Sequence, residues 1–498
     1  MSVLADKADK VVVPLREARA ALAGGWRTLS WLHRGWFLAV FVGSLSFLFL
    51  IPPFQTNDEP SHWHRLWSVA GGHLTCGAMP SVVENAIGAA NYFGVRDQKQ
   101  TYKLGNLDAL AALQGVNSTL QATGNACVYI PIAYLLPAAA MLPFVHPYDR
   151  RRSAGLLPAF YAARAANWLT MGVAVFLCLL LVPQLRNLTL VLYSLPMVMQ
   201  QTTVVNQEAC TLAFAFAMLF LWWRRPSLAQ VLGMLLLVTL LAAMKAIFLV
   251  LLLWWACAIW RWQRLLRPSR LAVALTASLA LIPLAMQAAW SRFVVSVSGS
   301  DFLPGWGVNP ELQVYFLKRH PLQLLRIMWS GHLDFFGRGH MNGGWPGVLG
   351  LLGWAELEIG DRAYYLLFLA VALALAADFL APPAAEAPVA DRSPWLEYVL
   401  PIFSVYLLLP SVIFAMYVVF TRVAASASIG VQGRYLLFPD YVMLALGLEW
   451  ARRRWTARPE LQRLRLRHVG GWLAAACAVC CMVAAHDALR TILVRYYE

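Results

Sequence analysis

Two adjacent carboxylates, Asp58 and Glu59, directly follow the first long apolar segment of the chain. A carboxylate can take a proton from an attacking hydroxyl as a general base. The pair also precedes Pro60, and acids at the start of a helix interact favourably with its dipole, so helix capping is an equally good interpretation. Capping does not exclude catalysis, and Asp58 is the first candidate for the base, with Glu59 the second.

Other residues that could do chemistry are few, because the chain is 60% hydrophobic and only 13% charged. Arg65, Lys245 and Arg434 are candidates for binding a phosphate, whose oxygens a guanidinium or ammonium group neutralises. Arg65 could instead be a solvated interfacial charge, and Lys245 could snorkel from a helix end. The candidate substrate-binding residues are His62, Glu208, Gln432, Tyr435, Trp345 and Arg338. The last two belong to a glycine-rich run at 335–345 that suits a flexible lid.

The segment that carries the acids also contains His62 and His64, which with Asp58 could ligate a divalent metal such as Mg²⁺ or Mn²⁺. The neighbouring Trp63 and Trp67 favour another interpretation, an interfacial helix whose histidines lie among lipid headgroups. No cofactor is predicted, and a divalent metal is left as an alternative.

The eight cysteines do not form a metal or redox motif in sequence. Cys477 and Cys480 lie in an apolar segment, where a small buried hydrophobic residue is the default interpretation. Cys76 and Cys127 could both face the oxidising side and pair, but the sequence does not decide this.

Apolar runs of about twenty residues, the length that crosses a bilayer, recur along the chain. They predict an all-α polytopic membrane protein with about 11 to 13 helices. The predicted crossings are residues 36–53, 127–146, 157–182, 207–223, 228–244, 246–261, 271–290, 363–380, 396–421, 432–450 and 470–487. The segment 188–203 fits as a re-entrant or broken helix, since irregular backbone at membrane depth occurs where it lines a cavity.

The formal charge of +15 follows the positive-inside rule, because arginines gather at alternate ends of the apolar segments. The clusters that mark the predicted cytoplasmic side are Arg150–Arg152, Arg224–Arg225, 261–270 and 452–467. No basic patch interleaved with aromatic residues lies in a soluble segment, so no nucleic-acid partner is predicted.

This topology divides the chain into a cytoplasmic or interfacial segment at 1–35, a transmembrane catalytic module at 36–380, a cytoplasmic linker at 381–394 and C-terminal helices at 395–498. Two long outer loops, 54–126 and 291–362, are predicted to carry short helices at Asn106–Leu120 and Asn309–Trp329. Loops of this length are usually functional.

The same topology places the ends of several helices at the outer face. Glu208, Lys245, Gln432, Arg434 and Tyr435 are therefore expected to converge on Asp58 and Glu59. Arg164 and Asn167 lie inside an apolar segment, where polar groups are expensive, and they are expected to be functional or to pair with one another.

The order of these motifs resembles a bacterial family of predicted membrane proteins of unknown function that is related to the GT-C glycosyltransferases. The residues that carry the resemblance are Asp58–His62, Tyr129–Tyr134, Arg164, Asn167, Pro196–Glu208, Lys245 and Gln432–Tyr435. The resemblance runs from about residue 36 to residue 450. This chain departs from it at Asn206-Gln207-Glu208, where relatives often have Ser-Pro-Asp, and the role of Glu208 stays open.

The resemblance implies a GT-C-like helix bundle in the bacterial inner membrane, with its active site facing the periplasm. The implied reaction transfers a sugar from a polyprenyl-phosphate (undecaprenyl-phosphate type) donor to an envelope glycan, lipid or protein, and it inverts the anomeric centre. It implies an acidic base, with Lys245 and Arg434 holding the lipid phosphate. The alternatives are an enzyme of the O-antigen polymerase or ligase type and a lipid-linked sugar transporter, whose binding groups would cluster near the bilayer midplane.

Overall fold

The structure is a computed structural model that describes residues 24–76, 78–113, 119–121, 125–145, 155–298, 307–336, 344–381, 395–456 and 467–498. These residues are helical almost throughout, which confirms the all-α prediction. The strands among them are short and form two antiparallel pairs, β1 (Ala78–Pro80) with β2 (Thr119–Gln121) and β3 (Leu351–Leu352) with β4 (Leu357–Glu358).

The α-helices are numbered here in chain order. In the first half they are α1 Trp31–Leu50, α2 Glu59–Ala70, α3 Ser81–Ala89, α4 Tyr92–Arg96, α5 Leu104–Ala112, α6 Leu135–Met141, α7 Leu156–Leu181, α8 Arg186–Ser194, α9 Pro196–Thr202, α10 Glu208–Trp223 and α11 Leu228–Met244. In the second half they are α12 Leu252–Leu266, α13 Arg270–Ser278, α14 Leu281–Ser298, α15 Pro310–Arg319, α16 Pro321–Phe336, α17 Gly344–Leu349, α18 Asp361–Leu380, α19 Leu396–Tyr406, α20 Leu408–Val419, α21 Leu437–Thr456 and α22 Arg467–Tyr497. Short 3-10 turns occupy Asn125–Val128, Pro131–Tyr134, Pro183–Leu185, Ala246–Leu251 and Gly433–Leu436.

Seven of the described helices are long and apolar enough to cross a membrane, some of them continuous with a neighbouring turn or helix. They are Trp31–Leu50, Leu156–Leu181, Ala246–Leu266, Arg270–Val297, Asp361–Leu380, Leu396–Val419 and Val469–Tyr497. Shorter apolar helices lie at Pro131–Met141, Glu208–Trp223 and Leu228–Met244. The protein is therefore an integral membrane protein with several transmembrane helices.

The helix bundle has two ends, which contacts between distant residues identify. Where α1 begins, His33 lies 3.2 Å from Asn187 and Phe37 packs near Phe176. Where α1 finishes, Arg164 donates to the Ile51 carbonyl. Helix α7 thus runs antiparallel to α1. The end at which α1 finishes is called the site end below, because Asp58 follows α1 there.

This arrangement corrects the predicted topology in one region. Pro131–Met141 spans eleven helical residues, about 16 Å, which is half the thickness of a bilayer core, so the predicted crossing at 127–146 is wrong. The two halves α8 and α9 instead run from His33 to the site end, where Val205 meets Glu59. Segment 188–203 therefore crosses the bundle as a helix broken at Leu195, and its residues are buried.

Described residues within or beside the predicted arginine clusters lie at different ends of the bundle. Arg150–Arg152 lie outside the described residues, but Phe144 and Gly155 on either side are in contact, and α7 starts at the site end. The Arg261 guanidinium, by contrast, donates to the Trp222 carbonyl, and Arg452 donates to the Ala381 carbonyl, both far from the site end. Arg261 and Arg452 therefore lie at the end of the bundle opposite the site end.

The two predicted outer loops contain more structure than expected. The first carries α2 to α5, and its Cys76 forms a disulfide with Cys127, which settles the pairing that the sequence left open. Its predicted helix Asn106–Leu120 is Leu104–Ala112, and the predicted helix Asn309–Trp329 is two helices, α15 and α16, separated by His320. The linker at 382–394 lies outside the described residues. Helix α22 returns to the first loop, where the Tyr496 hydroxyl donates to the Gln55 carbonyl.

Candidate functional site

The turn that joins α1 to α2 is fixed in an unusual conformation. Phe54 and Asp58 both have positive φ, 67° and 63°, in the left-handed region that residues other than glycine seldom adopt. A strained backbone of this kind persists only where contacts with surrounding residues hold it in place. Hydrogen bonds to the turn's backbone come from Arg164 (to Leu48 and Ile51), Trp354 (to Phe54), Tyr496 (to Gln55) and Arg434 (to Asn57).

Glu59, the first residue of α2, is completely buried in an ion pair with Arg164. The guanidinium donates from Nε to Oε1 at 2.9 Å and from Nη2 to Oε2 at 2.7 Å. The backbone amides of Phe54 and Val205 donate to the same carboxylate, each at 3.0 Å. The four hydrogen bonds join the turn, α7 and the segment after α9, so Glu59 holds the three together.

Asp58 lies on the other side of the turn, and its side chain is 27% exposed. Its Oδ2 accepts from Nη2 of Arg434 at 2.5 Å. Arg434 is itself buried. Burial alone would lower its pKa, but the neighbouring Tyr435 and Asp58 outweigh that effect and raise it, so the guanidinium stays charged. Asp58 is thus the accessible member of the predicted acidic pair.

A second carboxylate and cation pair lies beside the first. Lys245, between α11 and α12, donates from Nζ to Oε1 of Glu208 at 2.7 Å. Both cations lie near the Tyr435 ring, with Lys245 Nζ 5.0 Å and Arg434 Cζ 5.4 Å from its centroid. The structure therefore brings together the helix ends that the sequence predicted to converge.

Carboxamides connect these charged groups. Asn57 Nδ2 donates to Oε1 of Gln432 at 3.3 Å, and Oε1 of Gln201 accepts from Arg434 Nη1 at 3.4 Å and from Asn206 Nδ2 at 2.8 Å. Gln432 was predicted, whereas Gln201 was missed. The signal for Gln201 was the break in the helix at 188–203, which the sequence predicted without assigning its polar residues to the site.

His62 is buried beside the two pairs. Its Nδ1 lies 2.6 Å from the Tyr134 hydroxyl. Burial lowers the pKa of His62 to about 4, although the negative charge of Asp58 opposes the shift, so the imidazole is neutral at physiological pH.

The histidines and Asp58 have separate partners, which bears on the alternative of a metal site. His64 pairs with Glu84 at 2.8 Å, and the hydrogen bond to His64 lowers the pKa of Glu84. Within the described part of the chain, no group of three or more His, Cys, Asp or Glu side chains is arranged to hold a metal ion. The donor set proposed for a metal, Asp58 with His62 and His64, is thus divided among three different partners.

Two other predicted residues, Arg65 and Trp345, have contacts of their own. Arg65 is buried and donates to the Leu74 and Tyr129 carbonyls at 2.6 and 2.7 Å, next to the disulfide; burial lowers its pKa to about 10. The Trp345 ring packs on Tyr364 and Phe368 of α18, each with ring centroids 5.1 Å apart. Arg338 lies outside the described residues.

Arg164 and Asn167 were expected to be functional or to pair with one another, and of these alternatives the pairing is wrong. Both lie on α7, but Asn167 Nδ2 donates to the carbonyls of Val204 and Asn206, which follow the broken helix. Arg164 takes Glu59 as its partner. Each side chain hydrogen-bonds to buried acceptors on another element. In a buried environment a charge is stabilised by an opposite charge, and backbone carbonyls outside a helix need a donor.

Gly433 places the Arg434 turn against α17. A Cβ at this position would lie 2.5 Å from the Gly347 carbonyl carbon and 2.6 Å from the Gly344 oxygen. The glycine therefore permits a close approach of backbone to backbone.

Comparison with known proteins gives one match. A family model described as "predicted membrane protein (DUF2142)" matches residues 40–439, which is most of the chain and includes every residue of the paired charges. No curated protein and no solved structure matches the chain.

Proposed function

The chain belongs to the DUF2142 family of predicted membrane proteins, whose description assigns no reaction, and from the geometry of its site we propose a membrane glycosyltransferase of the GT-C type. It transfers a sugar from a polyprenyl-phosphate donor to a hydroxyl of an envelope glycan, lipid or protein. The reaction takes place on the periplasmic side of a bacterial inner membrane.

The observation that carries this proposal is the pair of carboxylate and cation contacts around Tyr435. Asp58 with Arg434 and Glu208 with Lys245 are separated by 2.5 and 2.7 Å. Two cations at one end of a helix bundle suit a lipid phosphate, because its headgroup lies at the membrane surface. The phosphate takes over contacts that the carboxylates make in its absence, and Asp58 is released from Arg434.

The released Asp58 then acts as general base. The acceptor oxygen bonds to the anomeric carbon of the sugar while its proton moves to the Asp58 carboxylate. The bond between the anomeric carbon and the phosphate oxygen breaks, and the electron pair leaves with polyprenyl phosphate. Arg434 and Lys245 stabilise the charge that develops on this leaving group, and attack opposite the leaving phosphate inverts the anomeric centre.

Glu59 has a different part in this proposal. Its carboxylate already accepts four hydrogen bonds and is completely buried, so it has no route to a substrate. We assign it to holding the turn, and Asp58 alone to proton transfer. Arg65, which is occupied by two backbone carbonyls beside the disulfide, is not among the proposed phosphate ligands.

One observation favours a lipid-linked sugar transporter as the second candidate. Helices α8 and α9 are two halves of a broken, buried helix, and discontinuous helices often form transport sites. The charged residues of the site, however, lie at the end of this helix and not at its break.

Proteoliposomes that contain the protein separate the two candidates. A panel of undecaprenyl-phosphoryl sugars, labelled in the sugar, is supplied together with envelope extract as acceptor. The enzyme proposal predicts label that becomes resistant to mild acid, which cleaves sugar from the lipid phosphate, and release of undecaprenyl phosphate. Movement of the intact labelled lipid between leaflets, with no release of undecaprenyl phosphate, would support the transporter instead.

A further inference from the structure

The oxygen of the Gln201 side-chain amide is hydrogen-bonded, whereas its nitrogen is not. Its Oε1 accepts from Asn206 Nδ2 at 2.8 Å and contacts Arg434 Nη1 at 3.4 Å. Its Nε2 is buried and has no hydrogen-bond partner among the described residues. A buried donor without a partner has lost its hydrogen bonds to water and gained none in exchange, so an amide group held in this state calls for an explanation.

Two neighbouring segments hold similar atoms. Thr56 Oγ1, two residues before Asp58, and Gln207 Oε1, next to Glu208, are buried and also have no partner in the described chain. Both belong to segments that carry the paired charges. The open hydrogen-bonding groups in these segments include an amide donor, an amide acceptor and a hydroxyl, and such uncharged groups match the hydroxyls of a sugar.

Resting on the proposed function, we propose that Gln201 recognises a hydroxyl of the sugar that the donor carries. In a polyprenyl-phosphoryl sugar a single oxygen joins the sugar to the phosphate. If the phosphate binds Arg434, the sugar hydroxyls nearest the anomeric carbon lie beside the residue whose Oε1 contacts Arg434. The Gln201 Nε2 group then donates to one of these hydroxyls. The unfavourable free energy of burying Nε2 without a partner is offset only when the sugar is bound.

The chain offers a matched control one residue earlier. Gln200 is on the same helix and equally buried, but both ends of its amide are bonded to Gly353: Nε2 donates to the carbonyl at 3.3 Å, and Oε1 accepts from the amide at 2.8 Å. Gln200→Met therefore removes a structural amide, whereas Gln201→Met removes one with an open donor. Gln201→Glu removes the open donor and keeps the oxygen that Asn206 and Arg434 contact; the charge that it adds beside Arg434 affects all of the phosphodiester lipids alike.

The measurement is the affinity of each purified variant for undecaprenyl-phosphoryl glucose, galactose and arabinose, and for undecaprenyl methyl phosphate. The last probe has the same phosphodiester charge and no sugar hydroxyl, so the ratio of dissociation constants isolates the sugar. In the wild type we expect at least one sugar lipid to bind about ten-fold more tightly than the methyl phosphate. Both Gln201 variants should lose this preference, and Gln200→Met should keep it.

The proposal is overturned if the wild type shows no preference for any sugar lipid, or if both Gln201 variants retain the preference. Its failure is distinct from that of the proposed function. A wild type that prefers a sugar lipid but transfers nothing would contradict the glycosyltransferase and leave the sugar subsite standing. If the Gln201 variants transfer sugar and retain the wild-type preference, the glycosyltransferase stands and the role of Gln201 in sugar recognition is refuted.

Discussion

Glu59 and Arg164 form a two-point ion pair, at 2.9 and 2.7 Å, in which neither side chain is exposed. Asp58, one residue earlier, is 27% exposed and pairs with a different arginine, Arg434. Two adjacent carboxylates thus have separate environments, and this separation assigns one to the architecture and the other to the proposed chemistry.

Removing one partner of the buried pair should strongly destabilise the protein. Arg164→Ala leaves an uncompensated charge at Glu59, which we expect to lower the free energy of unfolding by about 3 to 5 kcal/mol. The double variant Glu59→Gln/Arg164→Met should lose less, because no charge is left buried. Unfolding in detergent micelles measures both. Arg326→Ala, at an exposed position, is the control, and an Arg164→Ala protein as stable as this control would refute the assignment.

The two residues of the second pair should have opposite effects on donor binding. Lys245→Met removes a proposed phosphate ligand and should weaken the affinity for undecaprenyl phosphate about ten-fold. Glu208→Gln removes the carboxylate that competes for Lys245, so the affinity should be unchanged or higher. Competition binding with labelled undecaprenyl phosphate gives both values. Equal weakening by the two substitutions would show that Glu208 is needed to form the site and does not compete.

The close approach at Gly433 predicts that Arg434 is sensitive to a single added methyl group. In Gly433→Ala the Cβ would meet the backbone of Gly347 at 2.5 Å, and backbone cannot move aside as a flexible side chain can. Displacing Arg434 by about 1 Å should reduce sugar transfer roughly a hundred-fold. Gly447→Ala, on α21 with open space around it, is the matched control. A Gly433→Ala protein with the control's activity would show that the turn can adjust.

The lowered pKa of His62 predicts a pH dependence of stability. His62 binds a proton near pH 4 when folded and near pH 6.5 when unfolded, so the unfolded chain holds the extra proton between these values. Stability therefore falls as pH decreases from about 6.5 to 4, by roughly 3 kcal/mol from this residue. Unfolding measured from pH 4.5 to 7.5 should show a shallower slope in His62→Gln. The same slope in both proteins would mean that His62 is not the titrating group.

The convergence of the site was predictable because it needs only the ends of helices. Rare charged residues at the ends of apolar segments, such as Lys245 and Arg434, are placed by topology alone. The buried partner of Glu59 was not predictable, since Arg164 follows it by more than a hundred residues and nothing local links the two. Gln201 was missed for a related reason: a polar residue in a broken helix shows its role only when the break is placed in space.

The wrong crossing at 127–146 has a physical cause as well. Its residues are as apolar as a transmembrane helix, but Pro131 begins a helical stretch that ends at Met141, too short to span a bilayer. The segment 188–203 has the opposite property, because Pro196 interrupts a helix that crosses in two halves. Hydropathy registers apolar content and does not distinguish a helix that continues from one that stops.

The central claim, that Asp58 is the base, is tested most directly by the rate of sugar transfer in Asp58→Asn. The amide is nearly isosteric but cannot take a proton, so transfer from undecaprenyl-phosphoryl sugars should fall about a hundred-fold or more. Donor affinity should be unchanged or higher, because Arg434 loses a competing charge. Asp97→Asn, an exposed carboxylate that pairs with Arg96 at 2.8 Å in the same loop, should retain the wild-type rate. An Asp58→Asn protein that transfers sugar as fast as Asp97→Asn would contradict the account.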